Sequence, residues 1–254
     1  MKNIWEETKA VTFGSADISG RLSPAGVLEL FQEAAINHAE HLGVGREALL
    51  AARQGWVLSR ISVVADVRPA WRDTVTVRSW PRGADRLFAV RDYDMRGPEG
   101  ELLVRGRSGW LVLDLDKRRP LRPQFMMDRL PGNEGLDALP GTPLGLDARP
   151  GLTKIAGREA RYSDIDYNGH MNNARYMTWV QDIAGPELLE KAGRFRLDLN
   201  YLHEVRLGEA LELWAGPLPE PSLPEGLWER GLAVEGRRAG GEAVFRAELR
   251  TAPA

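Results

Sequence analysis

The sequence predicts an α+β fold built from two tandem units, each a helix wrapped by an antiparallel sheet. Three observations carry that reading. A helical segment followed by a run of strand-like segments occurs twice in the same order, each run follows a similar polar turn, and a stretch rich in Pro and Gly separates the two. One sheet with a lone helix leaves an exposed edge, and pairing two such units covers it.

The first unit, residues 1–120, carries a polar turn at 17–26. Val27, Leu30, Phe31, Ala34, Ala35 and His38 then recur at helical spacing, with Pro24 near the start and Gly43 at the end, so a helix is expected. Residues 56–67, 73–83, 86–95 and 101–116 alternate apolar with polar side chains between Pro, Gly and Asp, as half-buried strands do. Residues 121–156 read as a linker that crosses the surface rather than packs. The second unit, 157–254, repeats the order. Its turn at 162–170 leads into a helix over 171–192, interrupted near Gly185-Pro186, and then into strand-like segments at 194–208, 209–219, 227–236 and 243–253. Asp73 and Gly208 mark the turn before the second strand of each run.

With 43% hydrophobic and 28% charged residues, the chain can bury a sizeable core. No apolar run approaches the roughly 18 residues that span a bilayer. The amino terminus, MKNIWEETKAV, lacks the apolar core of a secretory signal and is too acidic for a transit peptide, so a cytoplasmic location without membrane contact is expected. There are no cysteines, which excludes disulfides, zinc–thiolate sites, iron–sulfur clusters and a cysteine nucleophile. The net charge of −2 hides an asymmetry: 16 basic and 10 acidic residues lie between Arg46 and Phe125. Such a segment is either a solvated face or a docking surface for an acidic partner. No helix-turn-helix, finger or RNA-recognition pattern is present, so nucleic acid is not an expected partner.

Residues 164–173 pack two carboxylates, three amides and an imidazole just ahead of the second helix. Turn and cap chemistry would explain the Asp, Asn and Gly, with Asn172 or Asn173 as the cap, but it does not call for a histidine. If the segment is extended, Asp166, Asn168 and His170 project on one side. Glu204 taken alone is an ordinary strand carboxylate, with His203 on the opposite face of that strand. His38 and His41 sit one turn apart, as a metal pair would, but no third ligand is evident. Neither a metal nor an organic cofactor is expected.

The run DIDYNGHMNNARYMTWV (164–180) resembles the D-x-D-x-N-x-H-x-N-N-x-x-Y-x-x-W signature of acyl-acyl carrier protein thioesterases, plant and bacterial enzymes that release fatty acids from the carrier. Residues 28–43 are similar to that family's first helix, 56–80 to its first long strand pair, and 198–209 to its late segment with a glutamate. The likeness runs from Thr8 to Thr251 in the same order. It implies a double hotdog fold, with the acyl pocket in the first unit and the chemistry in the second. Carried over, Asp166, Asn168 and His170 fall on the family's catalytic Asp, Asn and His, and Glu204 on its catalytic glutamate. The next position, a cysteine in plant members, is Val205 here, so a cysteine–histidine–asparagine mechanism is not available.

On this reading Glu204 with His170 activates water, Asn168 holds the carbonyl or its oxyanion, and Asp166 orients the imidazole or the amide. In an alternative, Asp166 attacks and forms a transient anhydride. Trp56, Trp71 and Trp110 are the tryptophans expected nearest an acyl chain. Acyl carrier protein is the expected partner and CoA thioesters are the rival substrates, because the basic run with Arg82, Arg86, Arg91 and Arg105 suits an acidic protein and CoA phosphates alike. The Asn-rich motif argues against a hotdog dehydratase, and the complete Asp/Asn/His/Glu set against a non-catalytic acyl-binding protein. A homodimer through sheet edges stays open.

Overall fold

The computed structural model describes residues 3–122, 126, 128–219 and 227–253. The first unit holds β1 (Trp5–Ala10), α1 (Pro24–His41), a short α2 (Arg46–Ala51), β2 (Gln54–Ala65), β3 (Thr74–Asp85), β4 (Phe88–Arg96), β5 (Leu102–Asp114) and the short β6 (Arg119–Leu121). The second holds β7 (Thr153–Glu159), α3 (Asn173–Leu189), β8 (Arg194–Tyr201), β9 (Ala210–Pro217), β10 (Arg230–Arg237) and β11 (Ala243–Ala252). The strands form one antiparallel sheet in the order β1-β3-β4-β5-β2-β8-β11-β10-β9-β7, with β6 beside β5. The order in one unit mirrors that in the other about the β2–β8 junction, which is the double hotdog arrangement.

That junction is set by side-chain alternation. Ile61 faces Leu199, Val63 faces Leu197 and Ala65 faces Phe195, all buried in the common core with residues of α1 and α3. Ser62 and Asp198, between them in register, take the other face, where the Ser62 hydroxyl donates to Asp198 Oδ1 at 2.6 Å. The helices start as their sequences predict. Ser23 caps α1, with Pro24 in its first turn, and Asn172 caps α3. The helices also lock to each other, because Gln181 Oε1 of α3 accepts from the Ala25 amide at 2.5 Å. Phe31 of α1 stacks on Tyr93 of β4, with ring centroids 4.8 Å apart. The interruption expected in α3 is present. Gly185 has φ +63° and ψ −176°, a conformation favouring glycine, and Pro186 follows it.

Besides the unforeseen α2, three features differ from expectation. The linker packs. Asp137 accepts from Arg82 and Arg107, the Ala138 amide donates to Asp92, and Arg149 pairs with Glu248. The Leu146 amide donates to Asn200 Oδ1 (2.7 Å), while Asn200 Nδ2 donates to the Leu144 carbonyl (2.8 Å). The outer sheet face carries buried polar groups that need partners, and the linker supplies them. Pro123, Gln124, Phe125 and Met127 of the expected linker lie outside the described residues. Second, β7 begins at Thr153, inside that stretch, and β1 precedes α1. Both are edge strands rich in charged residues, with too little apolar alternation to be read as strands. Third, the segment expected as a strand over 194–208 leaves the sheet after Tyr201, so Glu204 and His203 lie on a loop.

Candidate active site

The 166–170 segment is a tight turn and not an extended strand. The Asp166 amide donates to the His170 carbonyl (2.9 Å), and the Gly169 amide to the Asp166 carbonyl (3.0 Å). Asp166 Oδ1 accepts from the Asn168 amide at 2.8 Å. Gly169, at φ +82°, supplies the left-handed residue that closes the turn. The three side chains therefore do not share a strand face. An Asp two residues ahead of an amide it can bond, followed by Gly, favours the turn over extension. The chain then enters α3: the Met171 amide donates to the Val205 carbonyl (2.8 Å), the Asn172 amide to the Asp164 carbonyl (2.8 Å), and Asn172 Oδ1 accepts from Ala174 (2.9 Å).

The Met171–Val205 bond brings the loop after β8 alongside the turn. His170 Nε2 lies 3.0 Å from Glu204 Oε2, with both side chains partly open to solvent. The loop is braced by Arg238, just past β10, which donates to the Glu204 carbonyl (3.0 Å) and to the Glu209 and Glu242 carboxylates. His203 turns away to Glu242 at 3.4 Å. Below lies Tyr176 of α3, edge-on to Tyr201 (5.3 Å) and Phe245 (5.2 Å). Burial, with the Glu209 and Glu204 charges, holds the Tyr176 hydroxyl protonated well above its usual range. The Tyr201 hydroxyl donates to the Asn173 carbonyl at 3.0 Å, tying the start of α3 to β8.

Asn168 meets the other unit. Its Oδ1 accepts from Arg46 Nε at 3.0 Å, and the Arg46 guanidinium stands 4.2 Å over the Tyr167 ring. Arg46 opens α2, a helix the sequence reading did not foresee, and no motif surrounds it. The structure thus pairs His170 with Glu204, keeps Asn168 in the same turn, and sets Arg46 against Asn168. Asp166 sits in the same turn, but its hydrogen bond among the described residues goes to the Asn168 backbone and not to the imidazole.

The first unit holds a copy of this turn. The Asp17 amide donates to the Arg21 carbonyl (2.9 Å), the Gly20 amide to the Asp17 carbonyl (2.9 Å), and Asp17 Oδ1 accepts from the Ser19 amide (2.9 Å). Ser19 and Arg21 stand where Asn168 and His170 stand. The Leu22 amide donates to the Pro69 carbonyl as Met171 does to Val205, which puts Arg68 where Glu204 is. Arg68 is buried, pairs with Asp17, and donates to the carbonyls of Leu22, Leu189 and Ala192. The copy is closed by a clamp on the far end of α3.

Two family models match the chain. The acyl-ACP thioesterase N-terminal domain covers residues 2–124, and the C-terminal domain covers 151–226. The chain belongs to the acyl-ACP thioesterase family. An acyl-ACP thioesterase from Bacteroides thetaiotaomicron superposes over 98% of both chains, with TM-score 0.82 and 25% identity. The 12:0-ACP thioesterase from Umbellularia californica shares the fold over 99% of this chain and 94% of its own, with TM-score 0.82 and 22% identity. A chloroplastic acyl-[acyl-carrier-protein] hydrolase of Cuphea viscosissima is 31% identical over 204 residues, 73% of this chain and 48% of the relative. The chain spans about half the length of the curated relatives it matches first.

In this member of the acyl-ACP thioesterase family, Val205 at the cysteine position is fully buried in the apolar core. Trp56 and Trp110 pack edge-on at 6.4 Å, and Trp56 borders a small cluster with Leu42, Val44 and Leu49 around α2. Trp71 does not join them. It is exposed beside Phe13 and Arg72 at the first unit's turn. The four arginines expected to form one basic run are also dispersed. Arg91 is buried against Ser79 Oγ (2.9 Å) and His38 Nδ1 (3.2 Å), Arg82 and Arg105 pair with Asp137 and Asp66, and Arg86 is exposed in the β3–β4 turn. Strand alternation sends Arg91 to the helix side of the sheet. His38 and His41 pack against Trp5, and no group of three metal-binding side chains occurs among the described residues. No helix among them is long and apolar enough to cross a membrane.

Proposed function

We propose that the chain hydrolyses the thioester of a fatty acyl-acyl carrier protein and releases free fatty acid. The observation that carries the reading is the His170–Glu204 pair, 3.0 Å apart, in a family member whose neighbouring position is a buried valine. With Nε2 donating to Glu204, Nδ1 keeps its lone pair and takes a proton from attacking water. The carboxylate offsets the charge that arrives on the ring, as it does behind other histidine bases. Asn168 offers its amide hydrogens to the carbonyl oxygen as negative charge develops there. The tetrahedral intermediate then expels the carrier thiolate, a leaving group that needs little help. Asp166 shapes the turn through the Asn168 amide, which supports an organising part over attack through an anhydride. On the same reading the acyl chain enters the first unit near Trp56 and Trp110, the first unit binds and the second reacts, and the protein works with its carrier in the cytoplasm.

The test is thiol release from acyl-carrier-protein and acyl-CoA substrates of graded chain length. His170→Ala and Glu204→Gln are each expected to lower kcat by about 10²- to 10⁴-fold while keeping the fold. Faster release from the carrier protein supports the proposed substrate, and faster release from CoA redirects it. No release by well-folded wild type would leave acyl binding without catalysis. After a single turnover in ¹⁸O water, label in Asp166 would restore the anhydride route.

A further inference from the structure

We propose that Arg46, from the first unit, is a positioning residue for Asn168 of the second: it holds the side-chain amide so that the NH2 group, and not the oxygen, faces the thioester carbonyl. The inference rests on the thioesterase reading and deepens it. A guanidinium only donates, so the Asn168 atom 3.0 Å from Arg46 Nε is the oxygen. Fixing Oδ1 there leaves both Nδ2 hydrogens for another acceptor. A carboxamide free to turn over would at times present its oxygen to the developing oxyanion, which repels. The cation also draws electron density toward Oδ1 and strengthens the N–H donors on the same amide.

Arg46 is itself well held. Its backbone amide donates to Glu40 Oε1 at 2.8 Å, and its guanidinium lies over Tyr167, so it grips the turn at two neighbouring residues. Behind it, Leu49 of α2 packs with Leu42 and Val44, and Trp56 Nε1 donates to the Val44 carbonyl at 2.9 Å. A planar guanidinium can bond the amide and stack on the ring together, which an ammonium cannot.

Steady-state thiol release is measured for wild type, Arg46→Ala, Arg46→Lys, Asn168→Ala and the double variant, with thermal unfolding alongside. Arg46→Ala is expected to lower kcat roughly tenfold and to leave KM within about twofold, with partial recovery in Arg46→Lys. The double variant should be no slower than Asn168→Ala alone, because Arg46 acts only through that amide. A further tenfold loss in the Asn168→Ala background overturns the inference, as does a loss confined to KM or an unchanged kcat in Arg46→Ala. Absence of thiol release by wild type removes the functional reading itself, an outcome distinct from an active enzyme indifferent to Arg46.

Discussion

Val205 offers a sharp comparison at the scale of one residue. The family resemblance aligns this position with a cysteine of plant members; here the side chain is fully buried among apolar neighbours, and the backbone carbonyl holds the Met171 amide. A thiol placed there would be shielded and protonated, far from the conditions that make a cysteine reactive. Val205→Cys is therefore expected to change kcat by less than about twofold and to confer no sensitivity to iodoacetamide. A large gain in rate that iodoacetamide abolishes would show that this side chain reaches the reacting carbonyl. Glu204, one residue earlier, points out of the core toward His170. A one-residue step along the loop thus separates a core group from a site group.

Among the elements, the linker departs most from its appearance. Its Pro and Gly content suggested a loose crossing, but Asp137 docks it onto Arg82 and Arg107. Those two hydrogen-bonded cations pull the Asp137 carboxyl down to about 2 from the ordinary 3.8. A folded value below the unfolded one stabilises the docked linker fully above about pH 4, and that contribution fades as pH falls through 2. Because Asp137 is partly solvated, screening keeps the effect local. Amide exchange in residues 136–146 is expected to rise between about pH 4 and pH 2 ahead of global unfolding, and Asp137→Asn should show the faster exchange already at neutral pH. Exchange that changes only with global unfolding would mean that the linker is held by its backbone contacts to Asn200 and not by this carboxylate.

At the scale of the whole molecule, the two units behave as one body. The sheet runs unbroken through β2 and β8, and Arg68 of the first unit binds the Leu189 and Ala192 carbonyls at the end of α3. Burial pulls the Arg68 guanidinium pKa down, against the charge of Asp17, so the pair persists because five polar groups are satisfied together. Arg68→Ala leaves Asp17 and three carbonyls without that partner and is expected to destabilise the fold by about 3–5 kcal/mol. Tryptophan fluorescence and far-UV circular dichroism should still report a single denaturant transition, shifted to lower midpoint. Two separated transitions would show that the units fold independently and that the shared sheet is a weak joint.

The sequence by itself determined most of the elements and a candidate site. Helix α1 was legible from Val27 to His38, the alternation of β2 to β5 and β8 to β11 from their side-chain period, and the interruption of α3 from Gly185-Pro186. Each of these depends on residues a few positions apart, whose preferences act locally. Asp166, Asn168, His170 and Glu204 were legible as candidates from the family resemblance, while β1 and β7 were hidden by the charged residues that edge strands carry. What only the tertiary structure decided is which groups meet. Arg46 reaches Asn168 over a separation of more than a hundred residues, and Arg68 closes the copied turn. Those encounters follow from the β2–β8 register and the packing of α1 on α3, which no local period encodes.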